Sequence, residues 1–269
     1  MISRTLCRAD VLLAQARAAG AVLGLDTGSP TASIALVVAG RLAGQTARSV
    51  TSHGAALPQA VAQLLDHAEL RASDLSGIAV GIGPGSFTGL RIGLSYAKGL
   101  AFASGAKIIG VASLDALAAG ALDAPAGSPG LQVCALLDAR KGEVYAALYE
   151  IMADGLEKIS QDVVMPLVRV TSPLRQNAIL AGDYTAKDAA ALAEKQGLEV
   201  TVLGPGALES RGRYIAALGA ASIAAGRSDS IDSLEPLYVR PPDAIAASGQ
   251  RKVSEGVWSA ERKNLSSSI

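Results

Sequence analysis

A glycine-rich turn between a buried strand and a helix places the tightest constraint on how this chain can fold. GIAVGIG (77–83) has the composition of a buried strand, and PGSFTGLRIGLSYAKG (84–99) follows it. The pattern predicts a helix from about Thr88 to Ser104. Small residues recur at every fourth position of that helix, namely Gly89, Gly93, Ala97 and Ala101. We call these four residues the small-residue strip, since the spacing puts them on one helix face that another backbone can approach closely.

Glycine in the interior of a helix costs about 1 kcal/mol relative to alanine. Gly93 and Gly99 both lie in the interior of the predicted helix, so we expect close packing to offset the cost. Two neighbours are compatible with the small-residue strip, and both can hold at once. One is a predicted helix at 54–70 of the same chain, and the other is a partner subunit.

The same segment lacks the motifs of the common nucleotide-binding loops. A Walker loop requires G-x-x-x-x-G-K-[ST], and the chain contains no Gly-Lys pair. The dinucleotide fingerprint G-x-G-x-x-G is interrupted because Ser86 stands where the third glycine is needed. A glycine-rich turn before a helix can still direct N–H groups at an anion, but here it is a weak sign of a nucleotide site.

The two halves of the chain share one order of elements, in which hairpin strands precede helix–strand units. Short glycine-containing connections predict an antiparallel meander in the first half. The predicted elements there are strands at 21–28, 31–40 and 41–50, a helix at 54–70, the strand and helix described above, a strand at 107–111 and a helix from Ser113. Those of the second half are a hairpin of 133–140 and 142–150, strands at 156–165, 177–183 and 198–204, and helices at 185–196 and 207–226.

This order indicates an α/β protein with two lobes, each a mixed sheet with flanking helices. We place the lobe boundary in ALDAPAGSPG (121–130), which is rich in Ala, Gly and Pro. The predicted organisation has five parts: a flexible N-terminal extension (1–20), a first lobe (21–120), a second lobe (121–206), a helix and segment that return to the first lobe (207–240), and a flexible tail (241–269).

Composition excludes several functional classes. Lys+Arg and Asp+Glu both number 24 in 269 residues, so no overall basic field attracts nucleic acid. Aromatic residues make up only 3%, which argues against a base-stacking surface. No apolar run reaches the roughly 20 residues that cross a bilayer. Two distant cysteines, Cys7 and Cys134, fit the reducing cytoplasm.

Four segments resemble the TsaB family of tRNA threonylcarbamoyladenosine biosynthesis proteins. They are GLDTGSPTASIALVVAG (24–40), GIGPGSFTGLRIGLSYAKGLAFASGAKIIGVASL (81–114), LLDARKGEVYAALYE (136–150) and PLYVR (236–240). The resemblance covers about residues 21 to 240. It implies the two-lobed actin-like ATPase fold, which is ribonuclease H-like in each lobe, and a cytoplasmic protein.

The resemblance also implies a function as a scaffold with no catalytic residues of its own. Such a scaffold binds the catalytic subunit TsaD together with the small ATPase TsaE. The complex places threonylcarbamoyl on N6 of the adenosine beside the anticodon, in tRNAs that read codons beginning with adenine. We expect contact with tRNA only through the complex, no contact with a membrane, and a homodimer when TsaD is missing.

The same resemblance assigns the docking surface to the helices predicted at 54–70 and 88–104. The residues expected to contact TsaD are Leu57, Val61, Leu64, Gly89, Gly93, Ala97 and Ala101. On this view, Gly93→Leu or Ala97→Trp abolishes binding of TsaD and leaves the fold intact.

No metal site is expected. In TsaD, a Val-His-His-x-x-x-His run follows the strand after the glycine-rich segment, and two of its histidines share one metal. By resemblance Ser113 and Leu117 stand at those two positions, and leucine cannot ligate a metal. The chain has only two histidines, His53 and His67. A cap or an interface contact is favoured for His53, and a surface or packing role for His67.

A residual contact with ATP or ADP stays open, although no cofactor is expected to be required. In actin-like ATPases an aspartate at the end of the first strand contacts magnesium through water, and Asp26-Thr27 stands there by resemblance. The alternative is that Asp26 caps its own turn. The candidate residues for a remnant of the nucleotide site are Asp26, Thr27, Gly83, Gly85 and Arg91.

Other readings of the sequence remain. One is an active ATPase or phosphotransferase of the actin-like type, which requires magnesium-dependent turnover by the isolated chain. A second is a metallopeptidase of the same superfamily, which requires a bound metal. The third is a chaperone-like binding module unrelated to tRNA.

Asp138, Arg140 and Glu143 lie around the second hairpin turn, and we interpret them as a charged hairpin tip rather than as a catalytic group.

Overall fold

A computed structural model of the chain describes residues 5–6, 9–49, 53–124, 127–203, 206–209 and 211–239. The elements of the first half of the chain are β1 (Thr5–Leu6), α1 (Ala9–Gln15), β2 (Ala21–Asp26), β3 (Thr31–Val38), β4 (Arg41–Ser49), α2 (His53–His67), β5 (Leu75–Gly83), α3 (Phe87–Ser104), β6 (Lys107–Ala112) and α4 (Ser113–Ala119). Those of the second half are β7 (Gln132–Asp138), β8 (Glu143–Met152), β9 (Gly155–Lys158), β10 (Val163–Pro166), β11 (Ala178–Gly182), α5 (Tyr184–Lys195), β12 (Val200–Val202), α6 (Gly206–Glu209) and α7 (Arg211–Ala224).

The first sheet has the strand order β4-β3-β2-β5-β6. β2, β3 and β4 pair antiparallel, which confirms the predicted meander, and β5 and β6 add to β2 in parallel. Helices α2 and α3 pack on one face of this sheet, and α1 and α7 pack on the other. The order of antiparallel and parallel strands gives the mixed sheet expected for an actin-like lobe.

The second sheet has the order β1-β9-β8-β7-β11-β12, with β10 also paired to β8. The prediction of one strand at 156–165 is wrong, because β9 and β10 pair with different parts of β8. Between them, the N–H groups of Ile159 and Ser160 both bond to the carbonyl of Leu148. The Ser160 hydroxyl accepts a bond from the Leu148 N–H, so the chain bends there and the strand is interrupted.

The N-terminal segment differs from the flexible extension that was expected for residues 1–20. β1 pairs antiparallel with β9 of the second sheet. Leu12, Leu13, Ala16 and Ala19 are buried in one core cluster with α7. Their spacing forms an apolar stripe on one side of residues 9–19, so this segment belongs to the core. The predicted flexible tail at 241–269 lies outside the described residues.

Helix α7 crosses the first sheet on the face opposite α2 and α3. Small residues allow this close approach, because a Cβ at Gly24 of β2 would overlap the backbone of Ala216. Leu234, further along the chain, is buried with α2 and α3 on the other face. Within the described residues, no helix is long and apolar enough to span a membrane.

Candidate functional site

A cleft of about 560 Å³ opens where the carboxyl ends of four strands meet. The segments after β2 and β5 line it from the first lobe, and those after β7 and β11 line it from the second. The lining residues include 28–31, 84–88, 137–141, Tyr145, Asp183 and 237–239. Ligands of open α/β sheets bind at the carboxyl ends of the strands, so this cleft is the expected position of a nucleotide site.

Asp26, at the end of β2, is fully buried and does not line the cleft. Its Oδ1 accepts a bond of 2.7 Å from the Gly28 N–H and lies 3.4 Å from Nη2 of Arg211. Its Oδ2 accepts a bond of 2.7 Å from the Ser113 hydroxyl. Both carboxylate oxygens of Asp26 are therefore engaged by the chain itself.

Thr27 connects the first hairpin to α3. Its hydroxyl is buried and donates a bond of 2.7 Å to the carbonyl of Gly89. A Cβ at Gly89 would overlap the Thr27 carbonyl oxygen, and one at Gly93 would overlap the Thr27 hydroxyl. The two glycines of α3 are thus required by the turn that follows β2.

The glycine-rich loop after β5 is closed against the same turn. The Ser86 N–H donates a bond of 2.7 Å to the Gly28 carbonyl, and a Cβ at Gly85 would overlap that carbonyl oxygen. Gly83 is buried, with a φ of +105° that favours glycine. Of the five candidate nucleotide residues, only Gly85 lines the cleft.

Arg91 does not itself line the cleft, but it contacts two aromatic rings that do, those of Phe87 and Tyr238. Its guanidinium carbon is 4.0 Å from the centre of the Phe87 ring, a cation–π distance. Its Nε donates a bond of 3.2 Å to the Tyr238 hydroxyl, and the rings of Phe87 and Tyr238 are 5.4 Å apart. Sequence reasoning did not find this cluster, because Tyr238 is 147 residues from Arg91.

The second lobe contributes the hairpin between β7 and β8. Arg140 and Lys141 both have a positive φ, which is uncommon for residues other than glycine. The Asp138 carboxylate accepts a bond of 2.8 Å from the Arg140 N–H and lies 3.6 Å from the Arg140 Nε. Asp183 also accepts bonds from the Asp138 N–H and from the Thr185 N–H and hydroxyl. These carboxylates hold the backbone of the cleft wall.

Ser113 and Leu117 are both fully buried. Ser113 donates to Asp26, and Leu117 packs in the core of the second lobe. In the part of the chain that the structure describes, no group of three or more His, Cys, Asp or Glu residues could hold a metal ion.

The residues expected to contact a partner lie instead in the interior. Leu57, Val61, Leu64, Ala97 and Ala101 belong to one buried cluster between the helices and the first sheet, and Gly89 and Gly93 are buried against Thr27. This corrects the expectation that the small-residue strip is a surface. The strip packs on the chain's own sheet, because β2 and its turn occupy the space beside it.

The exposed face of α3 carries different residues. Phe102 is 83% exposed, and Ser95 and Gly99 are exposed on the same side at positions four and three residues apart. A Cβ at Gly99 would meet nothing within 4 Å. We call Ser95, Gly99 and Phe102 the outer face of α3.

Comparison with known proteins adds independent information. The family model "TsaD: tRNA N6-adenosine threonylcarbamoyltransferase" matches residues 47–254. The chain is 35% identical over 142 residues to TsaB of Bacillus subtilis, which covers 52% of this chain and 60% of that protein. It is 27% identical over 228 residues to TsaB of Haemophilus influenzae, which covers 81% of this chain and 93% of that protein.

A solved structure, YeaZ of Pseudomonas aeruginosa, superposes with a TM-score of 0.69 at 28% identity. The superposition covers 81% of this chain and 99% of YeaZ. The two-lobed architecture is therefore shared along the whole length of that protein.

Proposed function

Because the chain belongs to the family of TsaD and TsaB proteins, we propose that it takes part in the synthesis of threonylcarbamoyladenosine in tRNA. In this proposal it is a non-catalytic subunit that binds TsaD, together with TsaE. It contacts tRNA only through that complex and forms a homodimer when TsaD is missing. The role requires neither a nucleotide nor a metal on this chain.

The observation that supports a non-catalytic role is that both carboxylate oxygens of Asp26 are engaged inside the protein. A carboxylate that assists magnesium must direct an oxygen toward the ligand, whereas both oxygens of Asp26 are buried and bonded inside the protein. Ser113 and Leu117 replace the two metal-binding histidines expected by resemblance to TsaD. Catalysis then has to come from a partner.

The outer face of α3 supports a docking role. A glycine in the middle of a helix costs about 1 kcal/mol relative to alanine, and nothing within the described chain packs against Gly99 to explain that cost. Phe102, one turn further along, exposes most of its ring. A partner helix crossing at Gly99 would approach closely and cover Phe102, which accounts for both features.

The test is co-purification with TsaD. We expect Gly99→Leu and Phe102→Asp each to weaken binding of TsaD by about tenfold or more, because the first blocks the close approach and the second buries a charge. Both variants should keep the unfolding midpoint of the wild type within a few degrees. Threonylcarbamoyl transfer to tRNA by the reconstituted complex should fall in proportion to the loss of TsaD binding.

The matched control is Lys187→Asp on the exposed face of α5, which should bind TsaD normally. Wild-type affinity for TsaD in both α3 variants would refute this docking face.

Separately, depletion of the chain from its own cells should remove threonylcarbamoyladenosine from hydrolysed tRNA. Retention of the modification would refute the function itself.

A further inference from the structure

We infer that the guanidinium of Arg211 is a built-in cation, which supplies at Asp26 the positive charge that magnesium supplies in an actin-like ATPase and thereby excludes a magnesium nucleotide. The inference concerns this site alone. It stands whether or not the chain binds TsaD, and its test uses the isolated protein.

The contacts of Arg211 define the arrangement. Arg211 begins α7 and is fully buried, as is Asp26. Its Nη2 lies 3.4 Å from Oδ1 of Asp26 and donates bonds to the Ser29 hydroxyl at 2.6 Å and to the Thr31 carbonyl at 3.3 Å. One nitrogen of Arg211 thus neutralises the carboxylate and fastens both sides of the β2–β3 turn.

The residues around Asp26 leave no room for a hydrated metal ion. Gly81 lies so close that a Cβ there would be 2.5 Å from Oδ2 of Asp26, and Ser113 binds the same oxygen. On the cleft side, the Gly28 N–H is bonded to Asp26 and the Gly28 carbonyl to Ser86. The groups that would receive magnesium and phosphate are bonded to each other, so the site does not fit a magnesium nucleotide.

Stability alone is a weak reason for such a pair. Burial of two charges is costly, and replacement of a buried ion pair by apolar residues is often neutral or stabilising. The cost is raised here because Nε and Nη1 of Arg211 have no hydrogen-bond partner among the described residues. A specific task at this position, the neutralisation of Asp26 without a metal, accounts for a buried guanidinium there.

The test is the binding of Mn²⁺ by Arg211→Ala. Binding is measured as a decrease in the electron paramagnetic resonance signal of free Mn²⁺. Removal of the guanidinium leaves Asp26 uncompensated beside a vacated volume. We expect Arg211→Ala to bind Mn²⁺ about tenfold or more tightly than the wild type. Arg211→Lys should bind no more than the wild type, since the ammonium restores the cation, and Asp26→Asn combined with Arg211→Ala should lose the gain.

Thermal unfolding provides a second readout. A saturating concentration of Mg²⁺ should raise the unfolding midpoint of Arg211→Ala by about 5 °C, because a ligand that binds only the folded state stabilises it. The wild type should not respond. If Arg211→Ala folds poorly, Mg²⁺ should increase its refolded yield.

Two results would overturn the inference. One is an Arg211→Ala variant that binds Mn²⁺ no more tightly than the wild type and whose unfolding midpoint and refolded yield do not change with Mg²⁺. The other is a wild-type protein that already binds Mn²⁺ through Asp26, shown by loss of that binding in Asp26→Asn. Neither result would bear on co-purification with TsaD.

Discussion

Replacement of Gly93 by leucine is expected to lower the free energy of unfolding by about 3 kcal/mol or more, the sum of overpacking and of a broken buried hydrogen bond. A side chain at Gly93 would occupy the position of the Thr27 hydroxyl. That hydroxyl donates its buried bond to the Gly89 carbonyl on the preceding turn of the same helix. Helix α3 and the β2–β3 turn must therefore separate to admit the leucine. Urea unfolding at equilibrium measures the change.

The matched control is Gly99→Leu, six residues along the same helix. Because a Cβ at Gly99 meets nothing within 4 Å, this variant should unfold at nearly the wild-type urea concentration. Gly99→Ala should gain stability, by about 1 kcal/mol. If Gly93→Leu is as stable as Gly99→Leu, the packing of the small-residue strip on Thr27 is refuted.

The comparison of these two glycines shows what the sequence could and could not establish. The four-residue spacing correctly indicated a helix face that a neighbour approaches closely. It could not identify the neighbour, because spacing reports only that the side chains are small. The neighbour is Thr27, which is 62 residues from Gly89 in the chain. The expectation that Gly93→Leu preserves the fold did not take this contact with Thr27 into account.

The local patterns that predicted the fold were those with short-range causes. Alternating and continuous apolar runs located β2, β3, β5 and β6, and the short turns fixed the antiparallel order of the first three strands. The helix predicted from about Thr88 begins at Phe87, because Ser86 is its N-cap and its hydroxyl accepts a bond from the Gly89 N–H. These features need no knowledge of distant contacts.

Arg211 illustrates the opposite case. It stands in LESRGRYIAAL (208–218), where two arginines and a glutamate suggest an exposed helix start. Its burial follows from the path of α7 across the first sheet, which brings it to Ser29, 182 residues away. The apolar stripe of Leu12, Leu13, Ala16 and Ala19 was visible in the sequence. The helix at 207–226 was predicted, but its contact with this stripe was not, so the N-terminal segment was taken as flexible.

A second buried charge cluster, in the second lobe, joins α4 to the sheet. Oδ1 of Asp115 accepts bonds from the Tyr149 hydroxyl at 2.7 Å and from Nζ of Lys158 at 2.8 Å. Nζ of Lys158 also lies 2.6 Å from the Asp162 carboxylate. Burial is the main cause that raises the pKa of Tyr149 well above its usual value, and the negative charge of Asp115 is the second. The hydroxyl therefore stays a donor. One lysine thus compensates two carboxylates that are about nine-tenths buried.

The effect of pH on this cluster follows from two pKa shifts, those of Asp162 and Lys158. Burial raises the pKa of Asp162, although Lys158 opposes the shift. Protonation of Asp162 therefore favours the folded state, and this contribution is lost as pH rises through the raised pKa. Burial acts to lower the pKa of Lys158, but Asp115 and Asp162 together raise it above its ordinary 10.5. The charge of Lys158 contributes stability below pH 10.5 that is lost only above that value.

We expect Lys158→Met to lower the free energy of unfolding by about 3 to 5 kcal/mol at neutral pH, because it leaves two buried carboxylates without their cation. Without the ammonium, the pKa of Asp162 should rise further. The deficit relative to the wild type should therefore shrink as pH falls from 8 toward 5. Urea unfolding across that pH range measures the deficit.

Two variants separate this mechanism from a simple loss of packing. Lys195→Met, at an exposed position near the end of α5, should change stability by only about 0.5 kcal/mol or less at any pH. Asp162→Asn combined with Lys158→Met removes one of the two uncompensated charges, so it should recover part of the loss at pH 8 and little at pH 5. A deficit in Lys158→Met that is the same at pH 8 and pH 5 would mean that the side chain acts through its methylene groups. In that case the charge of Lys158 would not be what holds α4 to the second sheet.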